Sequence, residues 1–196
     1  MDAGKISIVL LIAVAIAGCI DEQPETIVET SSGLTVWTPD GVIAADEYTK
    51  SLSVNDGRYV IHWKSVNDTV YFGLETTSPG WAGIGFGPTN RMQDADIVLG
   101  GIADNVPYLF DMYSTGPTGP HPPDTEQGGT DDVLLYGAEE RMGGTVLEFS
   151  RKTDTGDVYD NVLTPGKEIT IIWAQADSDE PFFRHNIGKG TTTIVL

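Results

Sequence analysis

The sequence has one cysteine, and it has only 11 lysine and arginine residues against 29 aspartate and glutamate residues, for a formal net charge of −18. A single cysteine excludes an intramolecular disulfide bond and any zinc or iron–sulfur site that needs several thiolates. The shortage of basic residues argues against a nucleic-acid-binding protein, which needs a basic patch or stripe. It also argues against electrostatic docking on anionic lipid.

The usual catalytic motifs are missing as well. The sequence has no nucleophile elbow, no P-loop and no His-Glu-x-x-His helix, so a conventional hydrolase is disfavoured. It is nevertheless 40% hydrophobic, with four Trp, seven Tyr and six Phe, which argues against disorder and is enough for one core. A length of 196 residues suits one domain with a short leader.

An apolar stretch occupies residues 6–17 and is interrupted only by Ser7. It is too short to span a bilayer comfortably and is typical of the hydrophobic part of an export signal. The segment that follows, Ile16-Ala17-Gly18-Cys19, resembles the prokaryotic lipobox, in which the cysteine is lipidated and becomes the new N-terminus. We therefore expect residues 1–18 to be a lipoprotein signal peptide. The alternative is an uncleaved membrane anchor with an incidental cysteine.

Residues 19–33 are acidic, contain Ser and Thr, and are interrupted by Pro24. This composition predicts a flexible tether between the lipid on Cys19 and a folded domain. The rest of the chain would then lie outside the cytoplasm, anchored to the membrane of a prokaryotic cell envelope.

From Leu34 onward the apolar residues alternate in short runs, and no amphipathic helix is evident. Gly, Pro, Asn and Asp separate the runs. We predict strands at Tyr59–Lys64, Val70–Glu75, Trp81–Phe86, Asp96–Ile102, Val106–Met112, Val133–Tyr136, Thr145–Phe149, Glu168–Gln175 and Thr191–Leu196. This pattern predicts an all-β domain over residues 34–196, built as an antiparallel β-sandwich. The longest loop, Ser114–Asp132, is a place where function is often found.

The three histidines differ in their surroundings. His62 lies in mid-strand and is expected to be a half-buried or surface residue. His121 lies in a Pro-rich loop near Asp124, where binding of a divalent cation is a weaker alternative because the acids lack calcium-loop spacing. His185 has aromatic and basic neighbours just before the last strand and is the best candidate metal ligand of the three.

Methionine offers a second candidate ligand. Met112 falls on an apolar strand face and is expected in the core, and Met142 lies in a Gly-flanked turn. Met92 is an apolar residue in a polar loop beside a Gly-rich strand. A Met and a His together are a known axial pair for haem iron. The acidic run Asp154–Asp160 lacks an EF-hand pattern and is expected to be a turn whose carboxylates bond nearby amides.

Several ordered segments of the chain resemble the DOMON domain family, over about Thr38–Leu196. The most specific is Met92-Gln93-Asp94-Ala95-Asp96-Ile97-Val98-Leu99-Gly100. The others are Asp40-Gly41-Val42-Ile43, Glu47-Tyr48, Gly80-Trp81-Ala82-Gly83-Ile84-Gly85-Phe86-Gly87, Asp111, Tyr113, Phe149-Ser150-Arg151, Thr155-Gly156-Asp157, Trp173-Ala174 and His185. Each segment alone is weak evidence for the family, but the occurrence of all of them in the same order along the chain is strong evidence.

The resemblance implies an immunoglobulin-like β-sandwich of about ten strands with a pocket that holds b-type haem in some members and is thought to bind sugars in others. In the haem-binding members a Met and a His coordinate the iron, and these fall on Met92 and His185. Haem b would be non-covalent, because the chain has no Cys-x-x-Cys-His. The candidate lining residues are Trp81, Ile84, Phe86 and Phe183, and the candidate partners of the haem propionates are Arg91 and Arg184.

Two protein ligands would fill both axial positions, so such an iron carries electrons rather than reacting with substrate. We therefore expect a membrane-anchored, extracytoplasmic, haem-binding electron-transfer module rather than an enzyme. Its acidic surface favours a basic redox partner protein. The alternative is a surface lipoprotein that binds a sugar or other small ligand, which the four Trp and seven Tyr suggest, because flat rings suit sugar faces.

Overall fold

The computed structural model describes residues 37–196, so the predicted signal peptide, Cys19 and the tether lie outside the described residues. The described part is nearly all strand, with one 3-10 turn at Asn55–Gly57 and one single-turn helix, α1, at Asp124–Gln127. The strands are β1 Lys50–Val54, β2 Tyr59–Val66, β3 Thr69–Thr76, β4 Ala82–Phe86, β5 Asp96–Ala103, β6 Val106–Tyr113, β7 Val133–Arg141, β8 Gly144–Lys152, β9 Glu168–Gln175 and β10 Gly188–Val195.

The strands form two five-stranded sheets in which every neighbouring pair is antiparallel. Sheet A has the order β1-β2-β3-β8-β7, and sheet B has the order β10-β9-β4-β5-β6. The predicted all-β antiparallel sandwich is therefore confirmed. Within residues 37–196 no helix has the length and apolar character needed to cross a membrane.

The core lies between the two sheets and is filled by alternate residues of their strands. Phe72 of sheet A stands at its centre, with its ring centroid 5.1 Å from that of Phe86 in sheet B and 5.3 Å from that of Phe149. All three rings are fully buried. Burial of such a side chain contributes roughly 1.5–3 kcal/mol, so this aromatic cluster is a major part of what holds the sheets together.

Sheet B is apolar on its outer face as well as on the face toward the core. In β4 every residue is buried, with Ile84 facing the core and Gly83 and Gly85 facing outward. The register places Gly85 between Ile97 of β5 and Ile172 of β9, which extend the outward apolar face. An antiparallel sheet usually exposes one face to water. This sheet instead carries a second apolar layer, which loops must cover.

Several loop predictions are confirmed. The Ser114–Asp132 connection is a loop apart from α1 and two isolated bridges. The acidic run is a turn of the expected kind, because Asp154 accepts from the Gly156 amide at 3.2 Å and Asp157 accepts from the Tyr159 amide at 2.9 Å. Met112 has no exposed surface, whereas Met142 is fully exposed in the turn between β7 and β8. His62 is half-buried in β2, as expected.

Strand β1 was not predicted. Its sequence, KSLSV, contains only two apolar residues, Leu52 and Val54, and it pairs on one side only because it is the edge strand of sheet A. A short polar edge strand gives a weak period-2 signal, since solvent occupies its outer side.

Candidate functional site

A cavity of about 600 Å³ lies on the outer face of sheet B. Its floor consists of outward-facing residues of the central strands, namely Gly83, Gly85, Ile97, Leu99, Ile172 and Ala174. Its sides come from the loop at Met92, the loop at Pro117–His121, the segment at His185, and strand β10. The volume and the apolar floor are those of a small-molecule or cofactor site.

Met92 is held at the cavity by a tightly hydrogen-bonded loop. The Thr89 amide donates to the Gln93 carbonyl at 2.9 Å, the Gln93 amide donates to Asn90 at 2.9 Å, and the Ala95 amide donates to Met92 at 3.1 Å. The Met92 side chain is half-buried and packs against the outer apolar layer of sheet B. The backbone turn therefore presents a thioether to an apolar space.

His185 reaches the same cavity through an anchor at Trp81, the residue before strand β4. The indole Nε1 of Trp81 donates to the carbonyl oxygen of Phe183 at 3.0 Å, which ties the His185 segment to the start of that strand. Burial, with a further contribution from Lys189, lowers the pKa of His185. Its imidazole is therefore neutral at neutral pH and keeps a lone pair for a metal.

Most residues predicted for the site border the cavity, but three do not. Trp81, Arg91, Met92 and His185 all line it, and Ile84 borders it from strand β4 although its side chain packs in the core.

Phe86, Phe183 and Arg184 are absent from the lining. Phe86 points the other way, into the core between the sheets, because β4 alternates and Phe86 falls on the Ile84 face rather than the Gly85 face. Phe183 is 41% exposed and contributes its main-chain carbonyl to Trp81 rather than its ring to the cavity. Arg184 is exposed to solvent. The predicted lining role of Phe86 is therefore corrected, and the ring of Phe183 does not border the cavity. The role of Arg184 toward a propionate stays a prediction. Lys189 joins Arg91 as a cation bordering the cavity.

His121, which the sequence offered only as a weaker candidate for a divalent cation, lies at the cavity instead. Its side chain lines the cavity, and its Nδ1 is buried without a hydrogen-bond partner. Burial lowers the pKa of His121, and the nearby His185 lowers it further. A lone histidine in a Pro-rich loop gives no pattern from which this placement can be predicted, because only the fold brings that loop over sheet B.

The four tryptophans are at most 9% exposed. Trp37 and Trp63 do not border the cavity, whereas Trp81 and Trp173 do. None of them presents a largely exposed ring on the protein surface. The aromatic argument for a sugar ligand is correspondingly weakened.

The residues present fit a haem group. The outward positions of β4 are glycines, and a Cβ added at Gly85 would come within 2.8 Å of Ile172 and 3.1 Å of Ile97, so side chains here would fill the cavity floor. A thioether and a neutral imidazole are the Met/His pair of low-spin haem proteins. Arg91 and Lys189 supply positive charge at the cavity, which could pair with the carboxylates of a haem.

An antiparallel β-sandwich that carries an apolar cavity outside one sheet, with a thioether and imidazoles on its walls, has the geometry of a small-molecule or cofactor site. The chain belongs to the DOMON domain family, whose model matches residues 55–176.

The chain is similar to animal proteins of greater length. It is 35% identical to mouse DBH-like monooxygenase protein 1 over 145 residues, which is 72% of this chain and 22% of that protein. It is 32% identical to the human protein of the same name over 151 residues, which is 75% of this chain and 24% of that protein. The chain thus spans about a quarter of the length of these relatives. Their animal origin gives no support to the predicted prokaryotic origin.

Two solved structures share the fold. The cytochrome domain of Myriococcum thermophilum cellobiose dehydrogenase superposes with a TM-score of 0.53 at 14% identity, covering 75% of this chain and 81% of that one. The cytochrome b domain of pyranose dehydrogenase from Coprinopsis cinerea superposes with a TM-score of 0.55 at 11% identity, covering 74% of this chain and 80% of that one.

Proposed function

We propose that this DOMON domain binds haem b non-covalently in the cavity on sheet B and serves in electron transfer, with Met92 and His185 as the axial ligands. The observation that carries the proposal is that two side chains separated by nearly half of the chain border one apolar cavity. The likeness in fold to two cytochrome domains supports it.

The roles of the residues follow from their chemistry. Met92 and His185 would fill both axial positions, which leaves no position open for a substrate. Arg91 and Lys189 would neutralise the propionates at the rim. Bound haem would supply one-electron transfer at a potential that thioether ligation raises. The chain would hold the group, exclude water with the apolar floor, and present its edge to a partner.

The test is a visible spectrum of the full chain after addition of hemin and then dithionite. We expect a sharp Soret band and resolved α and β bands on reduction. Met92→Ala and His185→Ala should each abolish this six-coordinate spectrum. The matched controls are Met142→Ala, at a fully exposed methionine, and His62→Ala, at a histidine on sheet A; both should keep it.

Two results would overturn the proposal. One is a spectrum of free hemin with the unaltered chain, which would favour capture of another small ligand. The other is an unchanged six-coordinate spectrum in both ligand variants, which would mean that residues other than Met92 and His185 bind the haem iron.

We also propose that the domain is anchored outside the cytoplasm through lipid on Cys19, in a prokaryotic cell envelope. The support is the segment Ile16-Ala17-Gly18-Cys19. The mass of the mature N-terminus tests it. We expect the mature protein to begin at a lipid-modified Cys19. Cys19→Ser should lose the lipid and release the protein from membranes. A mature protein that still begins with Met1 would contradict the proposal.

A basic protein is the proposed redox partner, because the formal charge of −18 would steer it by attraction. Electron exchange with a basic acceptor should slow steeply as salt is added, since salt screens the attraction. A rate independent of salt contradicts this proposal.

A further inference from the structure

Two phenylalanine rings are exposed beside the cavity on sheet B. Phe182 is 64% exposed and Phe183 is 41% exposed, whereas most aromatic side chains of residues 37–196 are buried or half-buried. Both belong to the loop of residues 177–186, which connects β9 to β10. Exposed apolar patches bordered by polar residues often mark a surface that binds another protein. The 177–186 loop is therefore a candidate interaction surface.

Hydrogen bonds hold this loop in one conformation. At its base, Nδ2 of Asn186 donates to Oδ1 of Asp177 at 2.7 Å, and the Asp177 amide donates to Oδ1 of Asn186 at 3.2 Å. Farther along, the Phe183 amide donates to the Glu180 carbonyl at 3.0 Å. The bond from Trp81 to the Phe183 carbonyl ties the loop to sheet B. Because the loop is already ordered, a partner would lose little affinity in ordering it.

The ring of Phe182 continues the apolar layer that forms the cavity floor. Its centroid lies 5.5 Å from that of Phe110 in β6, and Phe110 is the strand partner of Leu99 in the cavity floor. Tyr108 lies next along β6, with its ring 5.9 Å from that of Phe110. Val106 falls on the same face of β6 by alternation and is 63% exposed. An apolar surface therefore extends from the cavity to the edge strand of sheet B.

Acidic side chains surround this apolar surface. Residues 177–186 include three acidic residues and one basic residue. Asp179 and Glu180, which precede the two rings, are exposed to solvent. Burial and the charges of Asp179, Glu140 and Glu180 raise the pKa of Tyr108, so acids of the loop and of β7 lie near the same ring. An aromatic centre within a charged border is the usual anatomy of a protein-binding surface.

We propose that a one-electron carrier protein with a basic surface docks on the 177–186 loop, with Phe182 as the apolar anchor and Asp179 and Glu180 as the acidic border. The inference rests on the proposed haem function and assigns the basic partner to one surface. His185, the proposed axial ligand, lies in the same loop and borders the cavity. The docked carrier would accept one electron and leave the iron ferric, and no atom would be transferred.

A second copy of the chain is the competing occupant of this surface. Self-association through the loop would place Asp179 and Glu180 of one copy near the same acids of the other. Like charges that meet at an interface oppose association, whereas a basic partner neutralises them. The charge of the loop therefore favours the basic carrier.

Two variants test the two parts of the surface separately. Phe182→Ala removes the apolar anchor, and Asp179→Asn combined with Glu180→Gln removes the acidic border. None of these three residues borders the cavity, so each variant should keep the haem spectrum of the unaltered chain. The hydrogen bonds that involve Glu180 within the loop use its backbone, so Glu180→Gln keeps them.

The matched controls lie away from the loop. Val158→Ala shortens an apolar side chain that is 85% exposed, in the segment between β8 and β9. Glu168→Gln combined with Asp68→Asn removes the same amount of negative charge at two exposed residues. Glu168 begins β9, at the end opposite to the loop, and Asp68 lies in the turn between β2 and β3 of sheet A.

The measurement uses ferric cytochrome c as a basic one-electron carrier. The full chain is loaded with hemin, reduced, and mixed with the carrier in a stopped-flow spectrometer at several salt concentrations. At low salt, we expect Phe182→Ala and the Asp179/Glu180 variant each to lower the second-order rate constant about tenfold, and each control to stay within about twofold of the unaltered chain. The salt dependence should become shallower in the Asp179/Glu180 variant than in the Glu168/Asp68 control.

Binding without haem separates this inference from the proposed function. Calorimetry of ferric cytochrome c with the chain free of hemin should show affinity about tenfold weaker for Phe182→Ala than for the unaltered chain. Absence of a haem spectrum in the unaltered chain would overturn the proposed function. Unchanged cytochrome c binding in Phe182→Ala would overturn the docking surface, whatever the haem spectrum.

Two further results would overturn the inference. One is equal slowing in the Glu168/Asp68 control, which would mean that the whole acidic surface attracts the carrier without a specific docking site. The other is a dimer of the unaltered chain in sedimentation velocity that Phe182→Ala dissociates, which would mean that a second copy occupies the loop.

Discussion

Arg151 donates from Nη2 to Oδ2 of Asp96 at 2.9 Å, and neither side chain has any exposed surface. Arg151 lies in β8 of sheet A and Asp96 begins β5 of sheet B, so this ion pair joins the two sheets. The guanidinium also lies 5.7 Å from the ring centroid of Phe86, at the margin of the aromatic core. Removal of one partner from such a buried pair leaves a charge without compensation.

Replacement of Arg151 by Met is therefore expected to lower the free energy of unfolding by about 3–5 kcal/mol, measured by urea denaturation. The control is Arg141→Met, because Arg141 pairs with Glu139 on the surface, and its denaturation midpoint should not change. Equal midpoints for the two variants would contradict the inter-sheet role of Arg151.

Phe86→Leu tests whether Phe86 belongs to the core or to the cavity, because it should change stability and leave haem binding unchanged. Because Phe86 packs between the sheets, the smaller side chain should lower the free energy of unfolding by about 1–2 kcal/mol. Haem affinity should stay unchanged, since Phe86 does not border the cavity. A hemin titration of the folded variant checks this. A clear loss of hemin affinity would mean that Phe86 contributes to the haem site after all.

Gly85→Ala should weaken haem binding about tenfold, or ~1.4 kcal/mol, because the new Cβ would push the Ile172 and Ile97 side chains into the cavity. Gly83→Ala is the matched control in the same strand and on the same face. Its Cβ would meet neighbouring atoms only at 3.4 Å or more. Hemin titrations compare the two, and similar affinities would argue against haem on this floor.

Glu148 predicts a pH dependence of stability. Its carboxylate accepts from the Tyr48 hydroxyl at 2.7 Å and from the Gly41 amide at 2.8 Å, yet burial dominates and raises its pKa. A raised folded-state pKa means that Glu148 favours folding when protonated. This contribution is present below about pH 4.3, the usual pKa of an unfolded glutamate, and is lost as pH rises through the folded-state pKa.

The measurement is the Tm of the unaltered chain minus that of Glu148→Gln, taken from pH 4 to pH 8. We expect this difference to fall as pH rises, because only the unaltered chain loses the protonated form. A difference that grows with pH would mean that the hydrogen bonds outweigh burial.

The sequence predicts the sandwich because most strands carry a clear period-2 pattern, as in Tyr59, Ile61 and Trp63. It also places Met92 and His185 at the site through resemblance to a family. Prediction from the sequence fails where the location of a side chain depends on how strands distant in sequence pack together. The prediction that Phe86 lines the cavity is wrong, because the sequence predicts the strand but not which of its two faces packs against the other sheet.

The buried acidic cluster around Arg151 shows the same limit. Asp96 begins a strand, Asp111 lies near the end of the next strand, and Asp160 ends an acidic turn, so their sequence contexts have nothing in common. Their meeting depends on the order of strands in both sheets. His121 reaches the cavity for a similar reason, through a loop whose path no local pattern determines.

The cavity on the outer face of sheet B has a consequence for how such a domain diversifies. One sheet separates the ligand chamber from the interior that stabilises folding, so the two compartments have almost no side chains in common. Changes in the loops that wall the chamber can alter what it accepts without disturbing the interior. Selection for a new ligand and selection for a stable fold therefore act on largely different residues, which makes the architecture readily evolvable.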